Sequence, residues 1–343
     1  MTLQTTKCRK FLLAAAGAGI FVSTGVSAQD FSLNSERLNS LEEPIATDIA
    51  GVTVEVTGVV DGRVDFDLDD EVDGTSEFEP ALLGNFEITA STQLANRWNV
   101  GVAYFGQYEA GPDGGEYTDN VAGFIGTSWG TVLAGEVSGV VSEQTRRVRG
   151  IGNADLQFDG PLGETDNWGG GYVGQFGPAR ISGVADDDGN FDLGFVWQRP
   201  SGPAGYRFAA RYTNAEYTAA DGISQFDTQA VSGTFEYLYG QSTYNLGVGY
   251  EHFDGTAGNA DRWFASAGWQ RQFGDVTASA EVHYGEIDGQ SEFSGALGLR
   301  YNLSRGLSLN LGLNHSDGNA DVGLVPLLEQ KETKATISLR FGF

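Results

Sequence analysis

From Val52 onward the chain sets an apolar residue on every second position. Val52, Val54, Val56, Val60, Val64, Phe66 and Leu68 alternate with Thr53, Glu55, Thr57, Asp61, Arg63, Asp65 and Asp67. A strand turns successive side chains to opposite faces, so such a run has one apolar and one polar face. The same alternation returns around Phe86, Ile88 and Leu94, around Tyr206, Phe208 and Tyr212, and through Leu307, Leu309, Leu311 and Leu313. It closes the chain at Ile337, Leu339, Phe341 and Phe343. Counting the segments predicts sixteen antiparallel strands between about Val52 and Phe343. No long helix-period stretch interrupts them.

The connections alternate as well. Short turns are expected near Asn96-Arg97, Trp129-Gly130, Gly177-Pro178, Phe273-Gly274 and Ser304 to Gly306. Longer acidic, glycine-rich loops are expected between them, among them Asn214 to Gln225, His252 to Asp261, Gly285 to Ser291 and Ser316 to Lys331. The longest runs from Ser138 to Trp168. Short turns at one end and long loops at the other describe a meander of hairpins, and a closed meander is one of the two structures that can cross a bilayer.

A soluble sandwich would also alternate, and the charges argue against it. An arginine on the lipid face at mid-bilayer costs roughly 2–4 kcal/mol. Arg63, Arg207, Arg211 and Arg262 all fall on the polar parity, whereas Arg199 and Arg271, on the apolar parity, adjoin short turns. Trp98, Trp129, Trp197, Trp269 and Tyr301 gather beside the short turns, and Tyr108, Tyr250, Trp263 and Tyr284 beside the long loops. Two aromatic girdles are the mark of two membrane interfaces. The fold class expected is therefore all-β: a transmembrane antiparallel β-barrel.

The first residues have a separate purpose. Lys7, Arg9 and Lys10 precede an apolar run from Phe11 to Val22, and Val26-Ser27-Ala28 offers a cleavage site. This is the pattern of an export signal over residues 1–28, too short in its apolar part to span a membrane. Residues 29–50 are expected to form a periplasmic or loosely ordered segment, and residues 51–343 the barrel. The single cysteine, Cys8, lies in the leader. Exported without disulfides, the rest must hold together by packing and backbone hydrogen bonds. The formal net charge of the whole chain, −26, repels nucleic acid and favours cations or neutral solutes as partners.

Three segments carry a family likeness: the opening strand GVTVEVTGVVDGRVDF, AGFIGTSWGTVLAGE from Ala122 to Glu136, and the terminal ATISLRFGF. Over essentially the whole chain after Gly51, the sequence resembles the general diffusion porins of Gram-negative outer membranes. The resemblance implies a homotrimer of sixteen-stranded barrels, assembled by the barrel-assembly machinery and surrounded by outer-membrane lipid. It also implies a water-filled passage for ions and small hydrophilic solutes, with no cofactor required and a third outer loop folded inward to narrow the pore.

That loop would be the stretch after GTVLAGE. It carries Arg146, Arg147 and Arg149 together with Asp155 and Asp159. The family sets loop carboxylates against wall arginines. Here the early inward positions are Glu55, Asp61 and Glu87, with Arg63 the clear wall arginine. Either the loop arginines face those carboxylates across the passage, a field of inverted polarity, or they bind Asp155 and Asp159 within the loop. Arg207, Arg211, Glu236 and Glu281 are expected to line the pore, and the surplus of acid predicts cation preference. Asp69, Glu71 and Asp73 open like a calcium loop, but the twelfth position is Pro80, so only weak calcium binding is expected. Two other classes share the barrel reading: an outer-membrane hydrolase and a structural or adhesive barrel without an open pore. His315, Ser316 and Asp317 are consecutive in sequence, so their side chains cannot converge into a triad.

Overall fold

The structure, a computed structural model, describes residues 44–69, 78–111, 114–165, 168–201, 204–323 and 325–343. The expected export signal over residues 1–28, most of the 29–50 segment, Glu71 and Asp73 lie outside the described residues. A short strand β1 (Ile45–Ile49) precedes β2 (Val52–Asp67), β3 (Phe78–Gln93), β4 (Asn99–Gly111) and β5 (Gly114–Thr127). Then come β6 (Gly130–Glu136), the helix α1 (Val140–Thr145), β7 (Trp168–Phe176), β8 (Ala179–Asp186) and β9 (Phe191–Ser201). The long strands follow: β10 (Ala204–Thr218), β11 (Gln225–Tyr239), β12 (Ser242–Gly255) and β13 (Gly258–Phe273). The last four are β14 (Val276–Ile287), β15 (Gln290–Ser304), β16 (Leu307–Val322) and β17 (Val325–Gly342).

Strands β2 to β17 each pair antiparallel with their sequence neighbours, and β17 returns to β2, so sixteen strands close a barrel. β1 is the extra strand. On one edge of β2, β17 pairs with Val59–Asp67 and stops at the chain's end, and β1 takes over the ladder at Val52–Val56. The last residue bonds back to the same strand, Phe343 N donating to Gly58 O at 2.9 Å and Gly58 N to Phe343 O at 2.8 Å. Ala50 and Gly51 turn the β1–β2 hairpin with φ of 53° and 87°, the positive pair a tight two-residue hairpin requires.

The parity read from the sequence holds along the strands. Val102, Ile125, Phe208, Leu246, Leu297 and Leu339 face outward and are exposed, while Asp61, Thr213, Asn245 and Ser338 face inward. Trp98, Trp129, Tyr301, Tyr108, Tyr250, Trp263 and Tyr284 all stand exposed on the outer surface.

Among the described residues, the outer loops expected after β10 are largely taken up by strand. Strands β10 to β17 continue through most of those segments and reverse in tight turns, as at Asp288-Gly289. In this upper tier the polarity of the pattern inverts. Outward positions become polar (Asp227, Asp254, Asp261, Asp317, Asp321), and inward ones apolar (Phe226, Phe253, Ala260, Ile287, Ala320, Val322). Those inward groups join Phe158, Tyr217, Leu327 and Leu328 in one buried apolar cluster inside the barrel mouth. Above the bilayer the outside is water, so the apolar face turns in, as it would in a soluble sheet.

A helix is the other departure. α1 is six residues long, too short to register as a period, and it starts the connection between β6 and β7. Val140 and Val141 pack with Phe124, Leu133, Val137, Val173 and Val184 on the inner wall. Apolar burial thus draws the beginning of this connection into the lumen.

Candidate functional site in the barrel lumen

The β6–β7 connection, described from Val137 to Thr165, folds inside the barrel and is fastened along the wall from β9 to β17. Its backbone amides end on inward side chains, in order along the chain. Val148 N donates to Glu236 Oε1 (2.9 Å), Gly150 N to Glu281 Oε2 (2.5 Å) and Ile151 N to Ser279 Oγ (2.9 Å). Asp155 N donates to Asn314 Oδ1 (2.8 Å) and Gln157 N to Ser294 Oγ (3.0 Å). Leu162 N and Gly163 N both donate to the Glu251 carboxylate at 3.0 Å. A loop with no ladder of its own leaves its backbone groups unpaired unless side chains receive them. Glycines make room. A Cβ on Gly298 would collide with Ile151 O, and one on Gly312 with Asn153 O.

Two buried arginines complete the fastening. Arg147 reaches Glu281 Oε1 (2.5 Å), Asn245 Oδ1 (2.5 Å) and Asp159 Oδ2 (3.0 Å). Arg262, fully buried, holds Glu251 (3.1 Å) and Glu292 (2.7 Å), and donates to the carbonyls of Phe158 (2.6 Å) and Gly160 (2.8 Å). Arg207 pairs with Glu236 (2.6 Å) and donates to the carbonyls of Arg146 and Gln144. Burial raises the cost of the Asp159 charge, but Arg149 and Arg147 outweigh it and hold the carboxyl below the usual range. Burial dominates at Asp155 and pushes its carboxyl up.

The site residues named from sequence fall into distinct places. Arg147 sits against Glu281 and Asp159, and the other loop arginines bind nearby: Arg146 to Glu143 (2.6 Å) and Arg149 to Asp159 (3.6 Å). Asp155 accepts from Gln157 (2.6 Å). Glu236 and Glu281 stand on inward positions beneath the loop, where they receive its amides. Arg211 forks onto Asp192 at 2.6–3.0 Å. On the other wall, Asp61 pairs with Arg340 (2.5 Å), and Arg63 with Glu109 (2.6 Å) and Asp65 (3.2 Å). Glu87 accepts from Thr89 Oγ1 at 3.3 Å, and Glu55 lies in register with Thr89 on the inward parity of β2. Of the calcium candidates, only Asp69 is described. Among the described residues no group of three His, Cys, Asp or Glu side chains is placed to hold a metal ion.

Sequence reasoning missed Asp192, Glu292, Arg340, Glu109 and Lys334 as parts of the lumen. All of them could be found as charged residues on inward parity with an inward partner of opposite sign, Glu292 through Arg262, Asp192 through Arg211 and Glu109 through Arg63. It also missed that Ser266, His283 and Glu292 form a line. His283 Nδ1 lies 3.0 Å from Ser266 Oγ, and Nε2 lies 3.0 Å from Glu292 Oε1. All three are buried, and Phe158 of the loop lies across the His283 ring at 6.1 Å between centroids. The line lies buried beneath Phe158 and forms part of the seat of the loop.

A long connection folded into a closed barrel and sewn to one wall is the geometry of a constricted passage, and a family profile described as Gram-negative porin matches residues 13–321. The chain belongs to the Gram-negative porins. The porin lies in the outer membrane. Its fold is similar to that of the in-vitro folded outer membrane protein OmpT of Vibrio cholerae in its trimer form (TM-score 0.62, 14% identity, 85% of this chain and 100% of that one). It is also similar to Acinetobacter baumannii OccAB3 (0.55, 13%, 86% and 100%) and to a mutant of the Rh. blastica porin (0.53, 15%, 84% and 100%). At these identities the likeness is one of fold. No curated protein sequence matches the porin significantly.

Proposed function

We propose that this porin is a passive, water-filled channel for ions and small hydrophilic solutes, that it prefers cations, and that it works as a homotrimer. One observation carries the reading: the 137–165 connection lies within the barrel and is bonded to the β9–β17 wall, so it narrows a passage instead of crossing its mouth. The cation preference rests on charge. Arg147, Arg262, Arg207 and Arg211 are each matched by carboxylates, and the chain as a whole carries 46 acidic against 20 basic residues. The trimer is supported by the fold shared with the trimeric Vibrio cholerae protein.

Planar bilayers provide the test. Stepwise conductance is expected, with a reversal potential of cation-selective sign in a KCl gradient. The preference should weaken as salt rises, since fixed charges act within a Debye length of ~8 Å at physiological ionic strength. A chloride-selective reversal potential overturns the preference, and a monomeric mass in mild detergent overturns the trimer.

A further inference from the structure

Beside the fastened loop lies a polar recess, walled on one side by Asp155 and Gln157 and on the other by β2, β16 and β17. Its ionic side chains are Arg63, Lys334, Asp65, Asp155 and Glu332. Both signs of charge therefore line one small space on the passage. A lone anion would meet three carboxylates there, and a lone cation would meet a guanidinium and an ammonium. A sugar would find no ring to stack on, because the only ring among the lining residues, His315, packs against Phe293 at 6.0 Å between centroids.

Of the recess ions, Arg63 is bonded to Glu109 and Asp65, whereas the Lys334–Glu332 pair is loosely held. The side chains of Lys334 and Glu332 are 30% and 38% exposed at a separation of 2.5 Å. A pair that solvent reaches in this way is worth only about 0–1 kcal/mol, so a solute can replace one partner at little cost. Asp155 has its main chain fixed by Asn314 and one carboxylate oxygen bonded to Gln157. Burial makes its charge costly despite the nearby Arg149 and Arg63, a cost that a further cation would relieve.

Resting on the channel reading, we propose that this recess binds small zwitterions of the α-amino-acid kind as they pass, Lys334 and Arg63 receiving the carboxylate and Asp155 and Glu332 the ammonium group. The probe is L-glutamine, with sorbitol as an uncharged solute of comparable size, added to the full-length porin in planar bilayers at low salt. L-glutamine should reduce single-channel current along a saturating curve, whereas sorbitol should lower it only in proportion to viscosity. In Lys334→Gln and Asp155→Asn, each normalised to its own ligand-free current, the half-saturating concentration should rise about tenfold, the equivalent of ~1.4 kcal/mol. Glu329→Gln, an exposed outward position on β17, should leave it at the parent value. Channels that show no saturating block by L-glutamine, equal block by sorbitol, or unchanged half-saturation in both recess variants overturn this proposal alone. A complete absence of channel steps overturns the channel reading beneath it.

Discussion

Arg262 and Lys334 are both basic residues on inward strand positions, and each touches glutamate. Arg262 and its partners Glu251 and Glu292 are sealed at 0–1% side-chain exposure under the loop, with the remaining guanidinium donors on backbone carbonyls. Lys334 and Glu332 form their pair in the open recess. The residue types are alike, but water is excluded from one pair and reaches the other. Removing one partner of the sealed pair strands a charge in low dielectric, whereas removing one partner of the open pair leaves a solvated charge. The β9–β17 wall uses its ions to hold a loop. The recess beside it keeps the Lys334–Glu332 pair within reach of solvent.

The contrast can be broken most sharply by Arg262→Ala, which leaves Glu251 and Glu292 uncompensated and should cost about 3–5 kcal/mol. Lys334→Ala should cost ~0–1 kcal/mol. Guanidinium unfolding of the folded barrel in detergent measures both, and equal losses would remove the distinction between the two walls. A smaller effect is expected from the glycine seats. Gly298→Ala drives a Cβ into Ile151 O and should cost about 1–3 kcal/mol, with increased protease cutting of the loop. Gly62, whose Cβ would meet nothing within 4 Å, should accept alanine with no loss.

The smallest effect concerns acid. The Asp159 carboxyl is held below its usual range in the folded loop, so it stabilises the seat above the unfolded carboxylate range. That contribution disappears as pH falls through the lowered folded value. Asp155 is shifted up and acts in the opposite sense, its charge burdening the fold near neutrality and relieved by protonation. Asp159→Asn should therefore flatten the acid-side loss of thermal midpoint, and Asp155→Asn should steepen it. A parent and an Asp159→Asn variant with parallel profiles would show that Asp159 does not couple to the loop seat.

The barrel itself was legible because one rule, apolar out and polar in, runs through every membrane-crossing segment. Where the surroundings change, the rule misleads. Asp254, Asp261, Asp317 and Asp321 looked like loop residues because they are acidic, yet they are the outward face of strands that have risen into water. The inward Phe253, Ala260, Ala320 and Val322 beside them were the clue, since an alternating pattern of reversed polarity is still a strand. The loop arginines were legible as a cluster, but their partners were not. Arg147 finds Glu281 across 134 residues of sequence, a separation that spacing cannot encode. Gly298 and Gly312 carried a readable trace of the loop, as gaps on the inward face where a neighbour must pass.

The junction of β1 and β17 on β2 bears on how the barrel is made. β2 and β17 are far apart in sequence, and Thr57 Oγ1 donates to the carbonyl of Phe343 across 286 positions. Such a contact carries the greatest loop-closure entropy in the molecule and is expected to form late. β1 is local by comparison, joined to β2 through a two-residue turn, and can protect Val52–Val56 while the rest of that edge stands open. The edge of β2 is thus shared between a local partner and a distant one, so loss of the β17 pairing would expose both lips of the seam to pairing with another chain.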